Sequence, residues 1–159
     1  MLSAQMAACA FCEIVAGRAG AAVVLDEPEV LAFLDVRPVF VGHVLVVPRA
    51  HHVALPDLPA GLLPPLFEAV QRLSAAVPAA LGASGTFVAA NNVVSQSVPH
   101  LHVHVVPRTR GDGLRGFFWP RTRYETDEHL AVTAERIRSA VPDGGDGPPG
   151  SSGACPSSG

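Results

Sequence analysis

The sequence lacks long hydrophobic runs, an excess of positive charge and a framework of cysteines. No apolar stretch in its 159 residues approaches the roughly 18 residues that a membrane-spanning helix needs. A net charge of −3 gives no bulk attraction to nucleic acid. Three cysteines do not make a secreted disulfide scaffold, and no basic segment precedes an apolar stretch at the N-terminus. We therefore expect a cytoplasmic protein without a nucleic-acid or membrane partner.

Composition and length predict one folded domain with loose ends. Hydrophobic residues make up 48% of the chain, which is enough for a substantial core. We expect a flexible leader over residues 1–8 and a folded domain over 9–142, with a C-terminal extension that starts at about residue 109. Residues 143–159 are almost entirely glycine, proline, serine and aspartate, so this tail is predicted to be disordered.

Hydrophobic periodicity predicts a sheet and one main helix. The helix is predicted over residues 59–81, because apolar side chains from Leu62 to Val77 recur at helical spacing, and Gly82 is its predicted C-cap. Proline is tolerated only in a first helical turn, so a start of the helix proper at Pro64 and Pro65 is the alternative. A short helical turn is expected at 11–16 and a second helix at 127–141. Strands are predicted at 22–25, 30–34, 44–47, 86–90 and 100–106. Strands with one inserted helix indicate the α+β class with an antiparallel sheet.

Three histidines alternate with apolar residues in the predicted strand at 100–106. Because alternate side chains share one face of a strand, His100, His102 and His104 are expected on one side. Imidazole titrates near neutral pH and acts as nucleophile, base or acid. Metal binding is an alternative, but residues four apart in a strand are roughly 13 Å apart, so one undistorted strand could give only two ligands to one ion. The spacing favours phosphoryl or nucleotidyl chemistry.

Four segments resemble the histidine triad (HIT) superfamily, in that family's order over about residues 9–108. The strongest is the run Gln96-Ser97-Val98-Pro99-His100-Leu101-His102-Val103-His104-Val105-Val106. The other three are Phe11-Cys12-Glu13-Ile14, Leu31-Ala32-Phe33-Leu34-Asp35-Val36 and Gly42-His43-Val44-Leu45-Val46-Val47-Pro48-Arg49. This resemblance implies the α+β HIT fold, with an antiparallel sheet, one main helix, a C-terminal helical extension and a homodimeric assembly.

The resemblance also implies a reaction. In the family, the middle histidine attacks the α-phosphorus of a nucleotide, and this position is His102 here. His104 and His43 correspond to partners that supply hydrogen bonds or protons beside the phosphate. The implied activity is nucleotide hydrolysis or transfer, with dinucleoside polyphosphates or nucleoside phosphoramidates of a purine nucleoside as substrates. No cofactor is required for that chemistry.

Further positions correspond to the family's nucleotide-binding residues, for the ribose, the phosphate and the base. They are Asp35, Asn91, Gln96, Ser97, Phe33 and Val36. The alternative for Asp35 is an ordinary turn residue, and the two apolar residues are equally consistent with plain core. Asn92 is an alternative to its neighbour in the loop.

Cys9 and Cys12 resemble a structural zinc pair found in some bacterial members. The matching histidines are His51 and His100, and two cysteines with two histidines form a closed tetrahedral set. His52 could replace His51. The alternative is that Cys9 and Cys12 are two reduced thiols that bind no metal.

Other residues carry weaker expectations. Four arginines after the histidine strand could reach a distal phosphate or lie in a solvated loop: Arg108, Arg110, Arg121 and Arg123. Three aromatic residues could cap a base site or pack in an interface or core: Phe117, Phe118 and Trp119. Two other classes of function stay open. One is a nucleotide-binding regulatory protein with little turnover, and the other is a metal-dependent enzyme that uses the histidine strand as ligands.

Overall fold

A computed structural model describes residues 9–114 and 122–142 of the chain. The chain divides into two units, residues 1–114 and 115–159. The predicted leader, the predicted tail and the aromatic run at 117–119 lie outside the described residues, as does Arg121.

The first unit is built on one five-stranded antiparallel sheet. Its strands are ordered β1-β2-β3-β5-β4, and a short helix, α1 (Ala10–Val15), precedes them. The strands are β1 (Val23–Asp26), β2 (Val30–Leu34), β3 (Val44–Pro48), β4 (Gly85–Ala89) and β5 (Val103–Arg108). This architecture confirms the predicted α+β class and the antiparallel sheet.

The main helix, α2 (Leu63–Leu81), begins later than its predicted start at residue 59. The preceding residues form a 3-10 turn, Ala60–Leu62, instead. Pro64 and Pro65 lie in the first turn of α2, where backbone N–H groups have no helical partner to lose. Gly82 ends the helix as predicted, with φ of 68° in the left-handed region. Its buried face consists of Leu66, Ala69, Val70, Leu73 and Val77.

The central strands are buried on both faces. All five residues of β3 and the first four of β2 are buried. One face packs with α2, through Val44 and Val46 among others. The other face packs with α1, where Leu45 and Val47 join Phe11. Because neighbouring residues point to opposite faces, this second core lies on the side of the sheet that carries the histidines.

Strand β5 starts at Val103, three residues later than predicted. The preceding backbone makes other hydrogen bonds: the N–H of His100 donates to the carbonyl of Val98 at 2.8 Å, and that of Leu101 donates to His52 at 2.6 Å. The predicted alternation nevertheless holds, because Leu101, Val103 and Val105 all lie in the α2 core.

The second unit contains one described helix, α3 (Asp127–Ala140), one residue shorter than predicted. Thr126 caps it, since its hydroxyl oxygen accepts the backbone N–H of His129 at 3.0 Å. Across both described ranges, the helices are too short or too polar to cross a bilayer.

Candidate functional site

A cavity of about 590 Å³ opens on the α1 side of the sheet, within the size range of small-molecule sites. It brings together six of the predicted site residues: His102, His104, Asp35, Ser97, Phe33 and Val36. The remaining lining residues are Ala10, Phe11, Ile14, Gly20, Ala21, Leu34, Arg37, Leu45 and Val98. The cavity therefore has apolar walls from α1, β2 and β3 and a polar end at the histidines.

The ring of His102 is held by a backbone hydrogen bond. Its Nδ1 lies 2.7 Å from the carbonyl oxygen of His100. A carbonyl can only accept, so Nδ1 carries the proton and donates it. In the neutral ring Nε2 then keeps its lone pair. The residue is only 3% exposed, and the ring of Phe11 packs edge-on against it with centroids 5.2 Å apart. The neutral His102 ring thus offers an Nε2 lone pair in a fixed orientation.

His43 and His104 form a hydrogen-bonded pair with a defined direction. The backbone N–H of Val39 donates to His43 Nδ1 at 3.2 Å, so in neutral His43 the proton lies on Nε2. That Nε2 donates to His104 Nδ1 at 2.9 Å. His104 therefore carries its own proton on Nε2. The chain of bonds leaves a donor Nε2–H on His104, which lines the cavity and whose ring centroid lies 4.8 Å from that of His102.

Burial keeps this histidine pair neutral. It lowers the pKa of His104 to about 4, and the nearby rings of His102 and His43 contribute to this decrease. Burial also lowers the pKa of His43, against a smaller opposing effect from the Asp35 carboxylate. Both rings are consequently uncharged at neutral pH, which the tautomers deduced above require.

Asp35 follows β2 and lies at the junction with His43. Its Oδ1 accepts the backbone N–H of Arg37 at 2.8 Å, which is the turn role foreseen as the alternative. Its Oδ2 lies 3.7 Å from His43 Nδ1, and the side chain is 22% exposed. The same carboxylate lines the cavity, so a turn role and a ligand role are compatible here.

Three polar loop residues bond to protein groups and are not among the residues lining the cavity. Asn91 donates to the carbonyl of Ser95 at 3.2 Å, and Asn92 accepts the N–H of Leu55 at 2.9 Å. The amide of Gln96 makes two hydrogen bonds, to Val93 and Val53. Ligand contacts by these three side chains therefore stay predictions.

Cys9, Cys12, His51 and His100 bring their ligand atoms within 4.8 Å of one another. The Cys9 and Cys12 sulfurs lie 3.5 and 3.6 Å from His100 Nδ1, and Cys12 lies 3.3 Å from His51 Nδ1. Zinc–sulfur and zinc–nitrogen bonds at a tetrahedral angle place S and N about 3.6 Å apart. The group contains His51 rather than the alternative His52.

The protonation of this cluster suits a cation. His100 Nε2 donates to the carbonyl of Pro48 at 2.8 Å, which leaves the Nδ1 lone pair facing the thiols. Burial lowers the pKa of His100 to about 4, so the ring is in the neutral, ligating form. Burial raises the pKa of the Cys12 thiol to about 11, and a bound cation would replace that proton. The four residues fit a structural zinc ion.

Some contributors carry no signal in the sequence. The Val39 N–H and the Pro48 and His100 carbonyls set the histidine tautomers, and backbone groups of any residue type could do so. Leu45 pairs with Phe33 on one side and His104 on the other, which strand pairing alone could have predicted. Arg108 is engaged by the Asp112 carboxylate at 2.6 Å and by the Leu114 carbonyl, as in an ordinary loop.

Comparison with known proteins places the chain in a family. The HIT domain family model matches residues 16–111, and the chain belongs to the HIT family. An uncharacterized HIT-like protein of Methanocaldococcus jannaschii is 39% identical over 107 residues, covering 66% of this chain and 82% of that protein. An adenosine 5′-monophosphoramidase of Schizosaccharomyces pombe is 29% identical over 135 residues, covering 84% and 98%.

Solved structures agree with this assignment. A HIT family member from Bacillus subtilis superposes with a TM-score of 0.79 at 30% identity, covering 86% of this chain and 99% of that one. A zinc-bound histidine triad protein from Mycobacterium smegmatis has a TM-score of 0.65 at 35% identity, covering 86% and 99%. Both likenesses confirm the predicted HIT fold.

Proposed function

We propose that the protein is a nucleotide hydrolase or nucleotidyl transferase that attacks the α-phosphorus through His102. The observation that carries this proposal is the bond from His102 Nδ1 to the His100 carbonyl, which leaves Nε2 basic in a residue that lines the cavity. An imidazole nitrogen is a good nucleophile towards phosphorus and a good leaving group, so it divides one difficult displacement into two easier ones.

The reaction consists of two displacements at the α-phosphorus. Nε2 of His102 bonds to the phosphorus while the bond from phosphorus to the leaving group breaks, and the leaving group takes up a proton from solvent. Water then attacks the same phosphorus and releases one proton to solvent, while the P–N bond breaks and its electron pair returns to Nε2. The products are a nucleoside monophosphate and the protonated leaving group. Charge develops on the phosphate oxygens in both steps, where fixed donors stabilise it.

His104 and His43 are proposed to supply such donors. The deduced tautomers place a proton on Nε2 of His104, a residue that lines the cavity, and the hydrogen bond from His43 fixes the orientation of its ring. Ser97, which lines the cavity after the polar loop, is proposed to bond the phosphate. Because the paired rings are neutral, they stabilise charge as hydrogen-bond donors rather than as cations.

The nucleoside is proposed to lie along the apolar walls. Phe33, in edge-to-face contact with Phe11 at 5.4 Å, forms one wall for a purine base and Val36 another. Asp35 is proposed to accept hydrogen bonds from the ribose hydroxyls. Asn91 and Gln96 were also predicted to bind the nucleotide. Their side chains would have to give up their present hydrogen bonds before they could reach a ligand.

A structural zinc ion at Cys9, Cys12, His51 and His100 is part of the proposal. The zinc-bound mycobacterial neighbour and the distances within the cluster support it. When bound, the ion would tie the N-terminal segment to the residue that orients His102. It supplies no step of the reaction.

Nucleoside phosphoramidates and dinucleoside polyphosphates both stay in the proposed substrate class. The phosphoramidase name of the fission-yeast relative supports the first. Arg108, one of four arginines that could reach a distal phosphate or lie in a solvated loop, is paired with Asp112, so it does not support the second class. A homodimer in the cytoplasm completes the proposal.

A substrate panel tests the activity. Wild type and His102→Ala would be assayed against adenosine phosphoramidate, diadenosine tri- and tetraphosphate and ADP, with His129→Ala on exposed α3 as control. We expect wild type and control to turn over one class, and His102→Ala to bind AMP but react at least about 10³-fold more slowly. Near-normal turnover by His102→Ala would contradict the mechanism. Nucleotide binding without any turnover would favour a regulatory role, and loss of both metal and activity in His102→Ala would favour a metal-dependent enzyme.

A further inference from the structure

The loop between β4 and the histidine segment has an unusual backbone. Val93 has φ of 69° and Ser95 φ of 60°, both in the left-handed region. This region is a genuine outlier for a β-branched residue. Val93 is also 72% exposed, so packing does not compensate for its conformation. Some other interaction must hold the loop in this shape.

The side chain of Gln96 supplies that interaction. Its Oε1 accepts the backbone N–H of Val93 at 3.1 Å, which closes a ring around the left-handed residues. Its Nε2 donates to the carbonyl of Val53 at 2.5 Å. Both polar atoms of the amide are thereby used within the protein. The second bond attaches the loop to the segment that starts at His51.

This loop leads directly to the cavity. Ser97 is the next residue after Gln96 and lines the cavity, as does Val98. Two further hydrogen bonds join the same segments: the side chain of Asn92 accepts the N–H of Leu55, and the N–H of Leu101 donates to the carbonyl of His52. The position of Ser97 thus depends on a loop that is strained at Val93. The amides of Asn91 and Asn92 each make one hydrogen bond in this loop, and the Gln96 amide bonds both Val93 itself and Val53.

We propose that Gln96 is a positioning residue: it holds the strained loop so that Ser97 meets the phosphate, and it does not touch the nucleotide itself. The role rests on the proposed function for the identity of the ligand. It differs from the expectation that Gln96 contacts the nucleotide, because its amide already bonds Val93 and Val53.

The substitution Val93→Gly distinguishes a positioning role of Gln96 from direct contact with the nucleotide. Glycine adopts positive φ without steric cost, so Val93→Gly removes the strain that Gln96 would otherwise hold. Gln96→Met keeps the length of the side chain and loses both bonds. Gln96→Glu keeps the acceptor for the Val93 N–H and loses the donor to Val53, so it serves as a matched variant.

The test measures the binding of AMP and of adenosine by the full chain with equal zinc content. Gln96→Met is expected to weaken AMP about five- to tenfold and to leave adenosine within about twofold, since only AMP carries the phosphate. Adding Val93→Gly is expected to restore most of the loss, and Gln96→Glu to show a smaller loss than Gln96→Met. A loss that glycine does not restore would show direct contact with the ligand and overturn the proposal. Unchanged AMP affinity, or equal weakening of AMP and adenosine, would also overturn it.

Hydrogen exchange of the ligand-free protein gives a readout that does not depend on nucleotide. Gln96→Met is expected to speed exchange at the Val93 amide. In the double variant, which combines Gln96→Met with Val93→Gly, the backbone amides of residues 96 and 97 are expected to exchange close to their wild-type rates. Fast exchange in the double variant would overturn the holding role. If these patterns appear while no variant, wild type included, binds AMP, the proposed function has failed and the loop mechanism has not.

Discussion

His102 and His104 lie side by side, with ring centroids 4.8 Å apart, yet their hydrogen bonds assign them opposite roles. The His100 carbonyl fixes the proton of His102 on Nδ1, and the Val39–His43 chain fixes that of His104 on Nε2. One ring therefore offers a lone pair and its neighbour offers a proton. Identical side chains acquire different chemistry from the backbone groups around them.

The depressed pKa of His104 makes stability depend on pH. In the unfolded chain a histidine titrates near its ordinary pKa of 6.5, whereas burial lowers this pKa to about 4 in the folded protein. Between these values the unfolded state binds more protons, so stability is complete above about pH 6.5 and falls as the pH drops towards 4.

We expect the wild type to lose stability more steeply over this window than His104→Gln, in which the amide can still accept a bond from His43. Thermal unfolding from pH 7 to 4 measures the difference. His129→Gln, a change at an exposed histidine of α3, should keep the wild-type slope. Equal slopes for wild type and His104→Gln would contradict a buried, neutral His104.

The helices and strands were predicted well where the apolar periodicity is strong. Their predicted boundaries were displaced where backbone groups make hydrogen bonds that local pattern does not show. The five strands were found from continuous or alternating apolar runs, and the main helix from helical apolar spacing. The start of β5 was wrong because Leu101 bonds to His52, a partner 49 residues away that no local pattern displays. The start of α2 at residue 59 was too early because residues 60–62 form a 3-10 turn, and the alternative start at Pro64 is one residue later than the observed one.

Two leucines on α2 allow the packing of the core to be tested. Leu66 is fully buried between α2 and the sheet, whereas Leu63, on the same helix, is 39% exposed. Truncation of a buried leucine removes apolar burial and leaves a cavity, so Leu66→Ala should lower the free energy of unfolding by about 3 kcal/mol. Leu63→Ala should cost less than about 1 kcal/mol. Urea unfolding at fixed zinc concentration measures both, and equal losses would place Leu66 outside the core.

At the scale of the whole molecule, the candidate metal cluster joins parts of the chain that are far apart in sequence. Cys9 and His100 are separated by 91 positions, yet the thiol and the imidazole are 3.5 Å apart. The resemblance predicted these four ligands, and the fold brings all four together. The sequence could not show which nitrogen of each histidine faces the thiols, because the Pro48 carbonyl determines this for His100.

Zinc content tests this cluster. Protein purified without a histidine tag should contain about one equivalent of zinc, and chelation should lower the unfolding temperature, because metal binding is coupled to folding. Cys12→Ser should lose the metal, whereas Cys155→Ser, which changes the cysteine in the C-terminal tail, should keep it. Elemental analysis decides the point: full zinc in Cys12→Ser, or less than about a tenth of an equivalent in wild type, would contradict a structural zinc site.

The loop before the histidine segment shows the same limit of sequence analysis. The family resemblance identified Ser97 as a phosphate contact, and Ser97 lines the cavity. The resemblance also grouped Gln96 and Asn91 with Ser97 as nucleotide-binding residues. Their bonds to Val93, Val53 and Ser95 depend on the folded loop, so only the structure could reveal them.

The proposed mechanism requires a covalent bond between His102 and the nucleotide, and the decisive experiment is to trap that adduct. The protein would be mixed with adenosine phosphoramidate, quenched within milliseconds in alkaline denaturant, and digested for mass spectrometry. We expect a single adenylyl group on the peptide that contains His102, localised to that side chain by fragmentation, and no adduct with His102→Ala. An adduct on His104, or sustained turnover through other groups in His102→Ala, would contradict it.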